Sequence, residues 1–327
     1  VKGLHSQGLE TPRILVFIEF CEESGSPDLP HYMELCSDIV GSPDLVVCLD
    51  SGAGDYKRFW TTTSLRGLVG CSLNVSVLNE GVHSGGASGH VPSSFRIARH
   101  LLSRIEDEET GEIKVKELHV NIPEHRKSET EDLVNILGEE VVDEFPWKDN
   151  TKPSTENLIE GVLRRTWRPA LSVVGANGLP PSENAGNVLR PYTELQLSLR
   201  IPPMVDPILA RNAVLKTLSE NIPYSATVVV KCEEAAAGWS APKTSKWLSS
   251  AVKKASLEFF KEKDCSMSEG GTIPFMAMLG EKYPKAQFII TGVLGPGSNA
   301  HGPNEFLHIP YAKKLTCCIA SIINDFN

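Results

Sequence analysis

No basic run stands out in this chain of 327 residues, and its formal net charge is -9. Such a chain has little to offer a phosphate backbone or an anionic bilayer, which excludes nucleic acid and membrane as main partners. No apolar run is long enough to span a membrane. "LTCCIASII" is among the longest and falls well short of the roughly 20 residues a spanning helix needs. CxxC pairs are absent as well. The eight cysteines (Cys21, Cys36, Cys48, Cys71, Cys232, Cys265, Cys317, Cys318) are scattered, several of them inside apolar runs. That excludes a zinc knuckle or a disulfide framework and predicts reduced, mostly buried thiols in a cytoplasmic protein. There is no internal repeat, no low-complexity tract and no signal-like segment before the first apolar run. Because the chain begins with Val1 rather than methionine, it is expected to be a fragment.

What is present is ordinary globular composition, 41% hydrophobic and 22% charged, at a length that allows two domains. The first sixty residues alternate strand and helix. "RILVFIEF" is a continuous apolar run of strand length, as expected of a parallel strand covered on both faces. "PHYMELCSDIV" has helical spacing and "PDLVVCLD" reads as the next buried strand. From about Thr62 the pattern changes. "CSLNVSVLNEG" alternates as a half-buried strand does, and "PSSFRIARHLLSRIEDE" is an amphipathic helix capped by serine. An acidic stretch follows, with one helix in "SETEDLVNILGEEVVDEF", and reads as a surface insertion. "PALSVVGANG", "YTELQLSLRIPP" and "SATVVVKCEE" read as strands, with "ARNAVLKTLSENI" as a helix between the last two. After the helix "SKWLSSAVKKASLEFF" and a Gly270-Gly271 turn, the first pattern returns in "AQFIITGVLG" and "PYAKKLTCCIASIINDF". The middle therefore reads as an insertion into a doubly wound α/β domain.

In open α/β sheets chemistry collects beyond the carboxyl ends of the strands. Glu22 and Glu23 follow "RILVFIEF", Asp50 follows "PDLVVC", and His301 lies in the loop "GPGSNAHGPNEF". Each alone has a plain reading: a solvated charge pair, a turn-initiating aspartate, a loop histidine. Together, carboxylates and one imidazole suit zinc or manganese. Of two adjacent glutamates, one can hold a metal while the other takes a proton from water.

The ordered set "EFCEESGSPD", "VVCLDSG", "LRGLVG", "GVHSGGASG", "LSLRIPP", "SEGGTIP" and "NAHGPNEF" resembles metallopeptidase family M20, specifically the cytosolic non-specific dipeptidase and carnosinase-like group, over essentially the whole chain. The resemblance implies an α/β fold: a zinc-exopeptidase-like doubly wound sheet domain, incomplete at its N-terminus, with an inserted α/β lid (dimerisation) domain. The expected division is 1–61 and 271–327 for the sheet domain and 62–270 for the lid. It implies metal-dependent hydrolysis of dipeptides, with two Zn2+ or Mn2+ ions per complete site and a homodimer formed through the lid.

Position by position, the resemblance makes Glu22 the catalytic base and Glu23, Asp50 and His301 metal ligands. His83 becomes the lid histidine that reaches a partner subunit's site, and Arg200 the clamp for the substrate carboxylate, with Asn187 assisting. Glu269, Gly270, Gly271 and Thr272 match the substrate-contacting turn, Glu269 taking the substrate's amino group. Their plain readings are a loop histidine, a surface cation and a helix-capping glutamate. His5, His31, His90, His100, His119, His125 and His308 are left as structural or solvated, and Trp239 and Trp247 as packing residues. The family's H-x-D histidine and bridging aspartate have no match here. The chain is accordingly expected to lack two metal ligands and to be inactive alone. An inactive dimerisation subunit, or an N-acyl amino-acid deacylase or carboxypeptidase of the same family, are the alternatives.

Overall fold

The computed structural model describes residues 1–326, apart from the side chains of Glu23 and Pro274. In chain order the regular elements begin with α1 (Lys2–His5), α2 (Leu29–Leu35), α3 (Ser37–Val40), β1 (Leu45–Cys48), β2 (Trp60–Leu65), β3 (Gly67–Ser76) and β4 (Val82–His83). Next come α4 (Ser84–Ala87), α5 (Ser94–Ile105), α6 (Glu124–Leu137), α7 (Glu140–Asp143), α8 (Leu158–Thr166), β5 (Ala170–Asn177), β6 (Val188–Leu189) and β7 (Tyr192–Ile201). The chain closes with α9 (Pro207–Ser219), β8 (Thr227–Cys232), β9 (Trp239–Ser240), α10 (Lys246–Phe259), β10 (Cys265–Glu269), α11 (Pro274–Lys282), β11 (Gln287–Ile290) and α12 (Ile309–Asp325).

Two sheets carry the fold. The first has the order β1-β11-β2-β10, with β9 also paired to β2. It is mixed: β1 is parallel to β11 and β2 to β10, while β11 and β9 run antiparallel to β2. Helices cover both faces. One core joins Phe59, Trp60, Leu248, Ala255, Leu315 and Ile322, placing α10 and α12 against the sheet. On the other side Trp239, Met276 and Ile290 meet under α11, and Leu29 and Met33 of α2 join Tyr283 and Ala286. Each of these large side chains stabilises the fold by about 1.5–3 kcal/mol through burial.

The second sheet, β5-β7-β3-β8, is antiparallel throughout. Along β3 every second residue is buried, so Val69, Cys71, Leu73 and Val75 face α5 and α9 and pack with Ile97, Leu101, Val214 and Leu218. Local chemistry starts both helices. The Ser93 hydroxyl accepts from Arg96 N at the head of α5; Asp206 accepts from Ile208 N and Leu209 N before Pro207 opens α9. The chain passes between the layers at two adjacent points where only glycine fits. A Cβ on Gly67 would lie 2.5 Å from Ala236 O, and one on Gly238 2.8 Å from Gly67 N.

Three features differ from the sequence expectations. Residues 13–20 form no strand: Val16 is 74% exposed, Ile18 69% and Phe20 91%. An apolar run becomes a buried strand only beside a ladder partner, and among the described residues none pairs with it. Second, Cys71 and Cys232 are joined by a disulfide, not reduced. They stand directly opposite each other in the β3–β8 register, with Cα atoms 4.0 Å apart. Third, the acidic stretch is more than a surface insertion, because Leu133 and Val141 enter the core that contains Trp60. The inserted unit read from the sequence runs to 270. In the structure the second sheet's last strand ends at Cys232, and β9, α10 and β10 pack with the first sheet.

Candidate functional site

The turn after β10 gathers side chains from both layers. Thr272 Oγ1 donates to Arg66 O at 2.6 Å and accepts from Arg200 Nη1 at 3.0 Å. Arg66 Nε donates to Gly270 O at 3.1 Å. Gly270 is tied to this packing, since a Cβ there would sit 2.6 Å from Arg165 O and 3.1 Å from Arg66 Nη2. Arg200 reaches the turn from the polar face of β7, where buried and half-exposed residues alternate. Arg66 is buried at the end of β2. Burial, then the neighbouring charges of Arg200 and Arg165, lower its pKa to about 10. Burial also lowers that of Arg200.

Glu269 ends β10 and is only partly exposed. Burial pushes its carboxyl up to about 7; Arg165 opposes that shift and the Glu144 carboxylate adds to it. Glu269 Oε1 lies 3.3 Å from the point a Cβ on Gly52 would occupy, so the carboxyl rests against the loop that follows Asp50.

Asp50 is exposed just beyond β1, and Glu22 lies in a 3-10 turn, Glu22–Ser24. Both bear on one group. The Cys48 thiol is pushed up to about 11, first by burial and then by the Asp50 and Glu22 carboxylates, against an opposing Asp50 backbone hydrogen bond. The loop after β11 is drawn toward the same end by Ala53 N donating to Leu294 O at 2.8 Å. His301, in that loop, is exposed and has a left-handed backbone, φ 59°. The expectation for Glu23 concerns a side chain outside the described residues. Among the described residues no group of three or more His, Cys, Asp or Glu could hold a metal ion. Catalytic zinc takes three protein ligands and leaves one position for water, so the described donors do not fit the two-metal set.

His83 and Asn187 come together on a separate ribbon. β4 pairs with β6, and Ser84 N donates to Asn187 O at 2.9 Å. Both residues are exposed, with the His83 ring folded over Gly85, where a Cβ would meet Cε1 at 2.7 Å. Sequence reasoning brought Arg200, Thr272 and Glu269 into one site but passed over Arg66 and Arg165. Arg66 did leave a signal: in "LRGLVG" a cation interrupts an apolar run, and a buried arginine needs acceptors.

Residues 63–234 match the profile of the peptidase dimerisation domain of M20 peptidases. The chain is 27% identical over 318 residues to a cysteinylglycine-S-conjugate dipeptidase of Corynebacterium striatum, covering 91% of this chain and 65% of that relative's length. Among solved structures it resembles the dipeptidase Dug1p of Saccharomyces cerevisiae with a TM-score of 0.76 at 21% identity, over 99% of this chain and 68% of that one. Human carnosine dipeptidase 1 aligns with a TM-score of 0.70 at 19% identity, over 93% and 64% respectively. An M20 family metallo-carboxypeptidase of Sulfolobus solfataricus gives 0.72 at 18% identity, over 93% and 68%. At these identities the solved structures speak for the fold.

Proposed function

Since the chain belongs to the M20 peptidase family, we propose that it serves hydrolysis of dipeptides, binding a substrate between the turn after β10 and the inserted lid. The observation that carries this reading is the Arg200–Thr272–Arg66 cluster. Thr272 has one hydroxyl proton, committed to Arg66 O, and its lone pair orients the Arg200 guanidinium. A planar fork so oriented suits a substrate's terminal carboxylate. Glu269 takes the substrate's amino group: an incoming ammonium favours the ionised carboxyl that burial disfavours.

Glu22 is the proposed base that takes a proton from the attacking water. In a homodimer, His83 is presented to the partner's site to steady the oxyanion, and Asn187, beside it on the same ribbon, assists at the substrate carboxylate. Glu23, Asp50 and His301 are the proposed zinc or manganese ligands. The described donors fall short of a metal site, so the proposal rests on substrate recognition. No helix among the described residues is long and apolar enough to cross a membrane. A cytoplasmic place belongs to the proposal, and the Cys71–Cys232 disulfide is the feature that weighs against it.

The same shortage of donors favours a second reading, a catalytically silent subunit that offers its lid to a partner. Native mass spectrometry with added zinc or manganese, run beside a dipeptide hydrolysis assay, separates the two. Two metals per chain with turnover supports the enzyme. A metal-free dimer without turnover supports the silent subunit and overturns the first reading for this chain.

A further inference from the structure

A cavity of about 270 Å³ opens between α7, α8 and the loop joining them. Among the described residues three arginines line it, Arg66, Arg164 and Arg165, and no aspartate or glutamate does. The rest of the wall is largely apolar, with Val142, Phe145, Trp147 and Leu158. Arg164 is already engaged by Glu160 and Glu112. The other two arginines keep open valences. Arg66 uses Nε on Gly270 O and Nη1 on Arg168 O, and its Nη2 has no hydrogen bond among the described residues. Arg165 stacks over the Phe145 ring, 5.5 Å from its centroid, and places Nη1 2.6 Å from Glu144 Oε1. Its Nε is buried with no hydrogen-bond partner among the described residues.

We propose that this cavity is a carboxylate-binding site for a monoanion of amino-acid size with an aromatic or apolar body, held by Arg165 and Arg66 and distinct from the proposed Arg200 clamp. A buried N–H without an acceptor is unfavourable, and a ligand oxygen would relieve it. Glu144 already shows that a carboxylate seats on this guanidinium, at the Nη1 corner. It leaves the Nε–Nη2 edge, which has the geometry for a two-pronged carboxylate contact. The Arg165 side chain as a whole is 37% exposed, and contact of a ligand with its buried Nε requires the side chain to turn.

Two further points select the ligand class. The volume lies just under the range for drug-sized ligands, which favours an amino-acid-sized body. Apolar walls make desolvation of a dianion more costly than that of a monoanion, which favours carboxylate over phosphate. The inference is independent of the peptidase reading, because it needs neither a metal nor turnover.

The test is calorimetric titration of the full chain, with a chelator present, using N-acetyl-phenylalanine as probe and its amide as the neutral control. The acid should bind at least tenfold more tightly than the amide. Arg165→Gln should cost at least tenfold in affinity for the acid, and Glu144→Gln, which removes the competing negative charge at Nη1, should tighten it several-fold. Equal binding of acid and amide would overturn the proposal, as would absence of binding. So would loss of binding in Arg200→Gln with retention in Arg165→Gln, which would put the ligand at the substrate clamp. If Arg165→Gln does not fold, Glu144→Gln decides alone, and an unchanged or weaker affinity there counts against the site.

Discussion

Replacing Glu269 by glutamine should change how stability depends on pH, in a direction fixed by its surroundings. The folded-state pKa is about 7, against 4.5 for a free glutamate, because burial and Glu144 disfavour the charge more than Arg165 favours it. A raised carboxyl pKa means that the folded chain binds this proton more tightly than the unfolded chain does. The stabilisation from protonation is therefore fully present below the unfolded value. It is lost as pH rises from there through about 7. At roughly 1.4 kcal/mol per unit, the loss amounts to about 3 kcal/mol. Glutamine is neutral and nearly the same shape, so it lacks this dependence. Wild type and Glu269→Gln should be equally stable below the unfolded value of 4.5 and diverge above it, the variant being more stable by about 3 kcal/mol once pH exceeds 7. Urea unfolding followed by tryptophan fluorescence at a series of pH values gives the difference, and other titrating groups cancel between the two proteins. Parallel curves from acid to alkaline pH would refute the reasoning, since they would mean that Glu269 ionises as easily folded as unfolded.

The remaining predictions concern the frame around the site. Asp55 accepts from the Trp60 indole N–H at 3.0 Å and from Arg58 Nε at 3.0 Å, and all three groups are buried or nearly so. Asp55→Ala should destabilise by about 3–5 kcal/mol, read from a urea midpoint, because it strands a buried cation and a buried donor. Reducing Cys71–Cys232, or making the double variant C71A/C232A, should lower stability by about 2–4 kcal/mol, since the bridge spans 161 residues; identical melts with and without dithiothreitol would count against it. Phe20→Ser should shift stability by less than about 0.5 kcal/mol at a side chain that is 91% exposed. A buried strand position would lose about 3–5 kcal/mol in the same urea experiment.

What could be read in advance follows a physical division. β3 and α5 were legible because a half-buried strand or helix writes its own exposure into its period, and one buried face is enough to set that pattern. Residues 13–20 failed for the complementary reason. Their apolar run states what a strand would bury, whereas pairing depends on residues elsewhere in the chain. The Cys71–Cys232 bond joins positions 161 apart through the register of β8 on β3, which no spacing rule encodes. In the acidic stretch the charges masked the few apolar residues that matter, and Leu133 and Val141 suffice to draw it into the core with Trp60. The candidate site divides in the same way. Gly270 and Gly271 were visible as a turn, and Thr272 entered through the family resemblance. Arg66 was not, because its importance lies in backbone carbonyls that have no letter in the sequence.

Those carbonyls explain why the site stands where the layers meet. Arg66 is the single residue between β2 of the first sheet and β3 of the second. Its carbonyl holds the Thr272 hydroxyl, its Nε holds Gly270 O and its Nη1 holds Arg168 O just before β5. The adjoining Gly67 is packed against the returning chain at Ala236 and Gly238. The turn after β10 is thus fastened to the passage between the layers. Thr272 then offers its remaining lone pair to Arg200, on a strand of the second sheet. A movement of that sheet relative to the first would act on the Arg200–Thr272 bond before it disturbed the turn, because the turn is held by two bonds to Arg66 and Arg200 by one. The residue that orients the proposed carboxylate clamp is therefore also the one that senses where the second sheet lies.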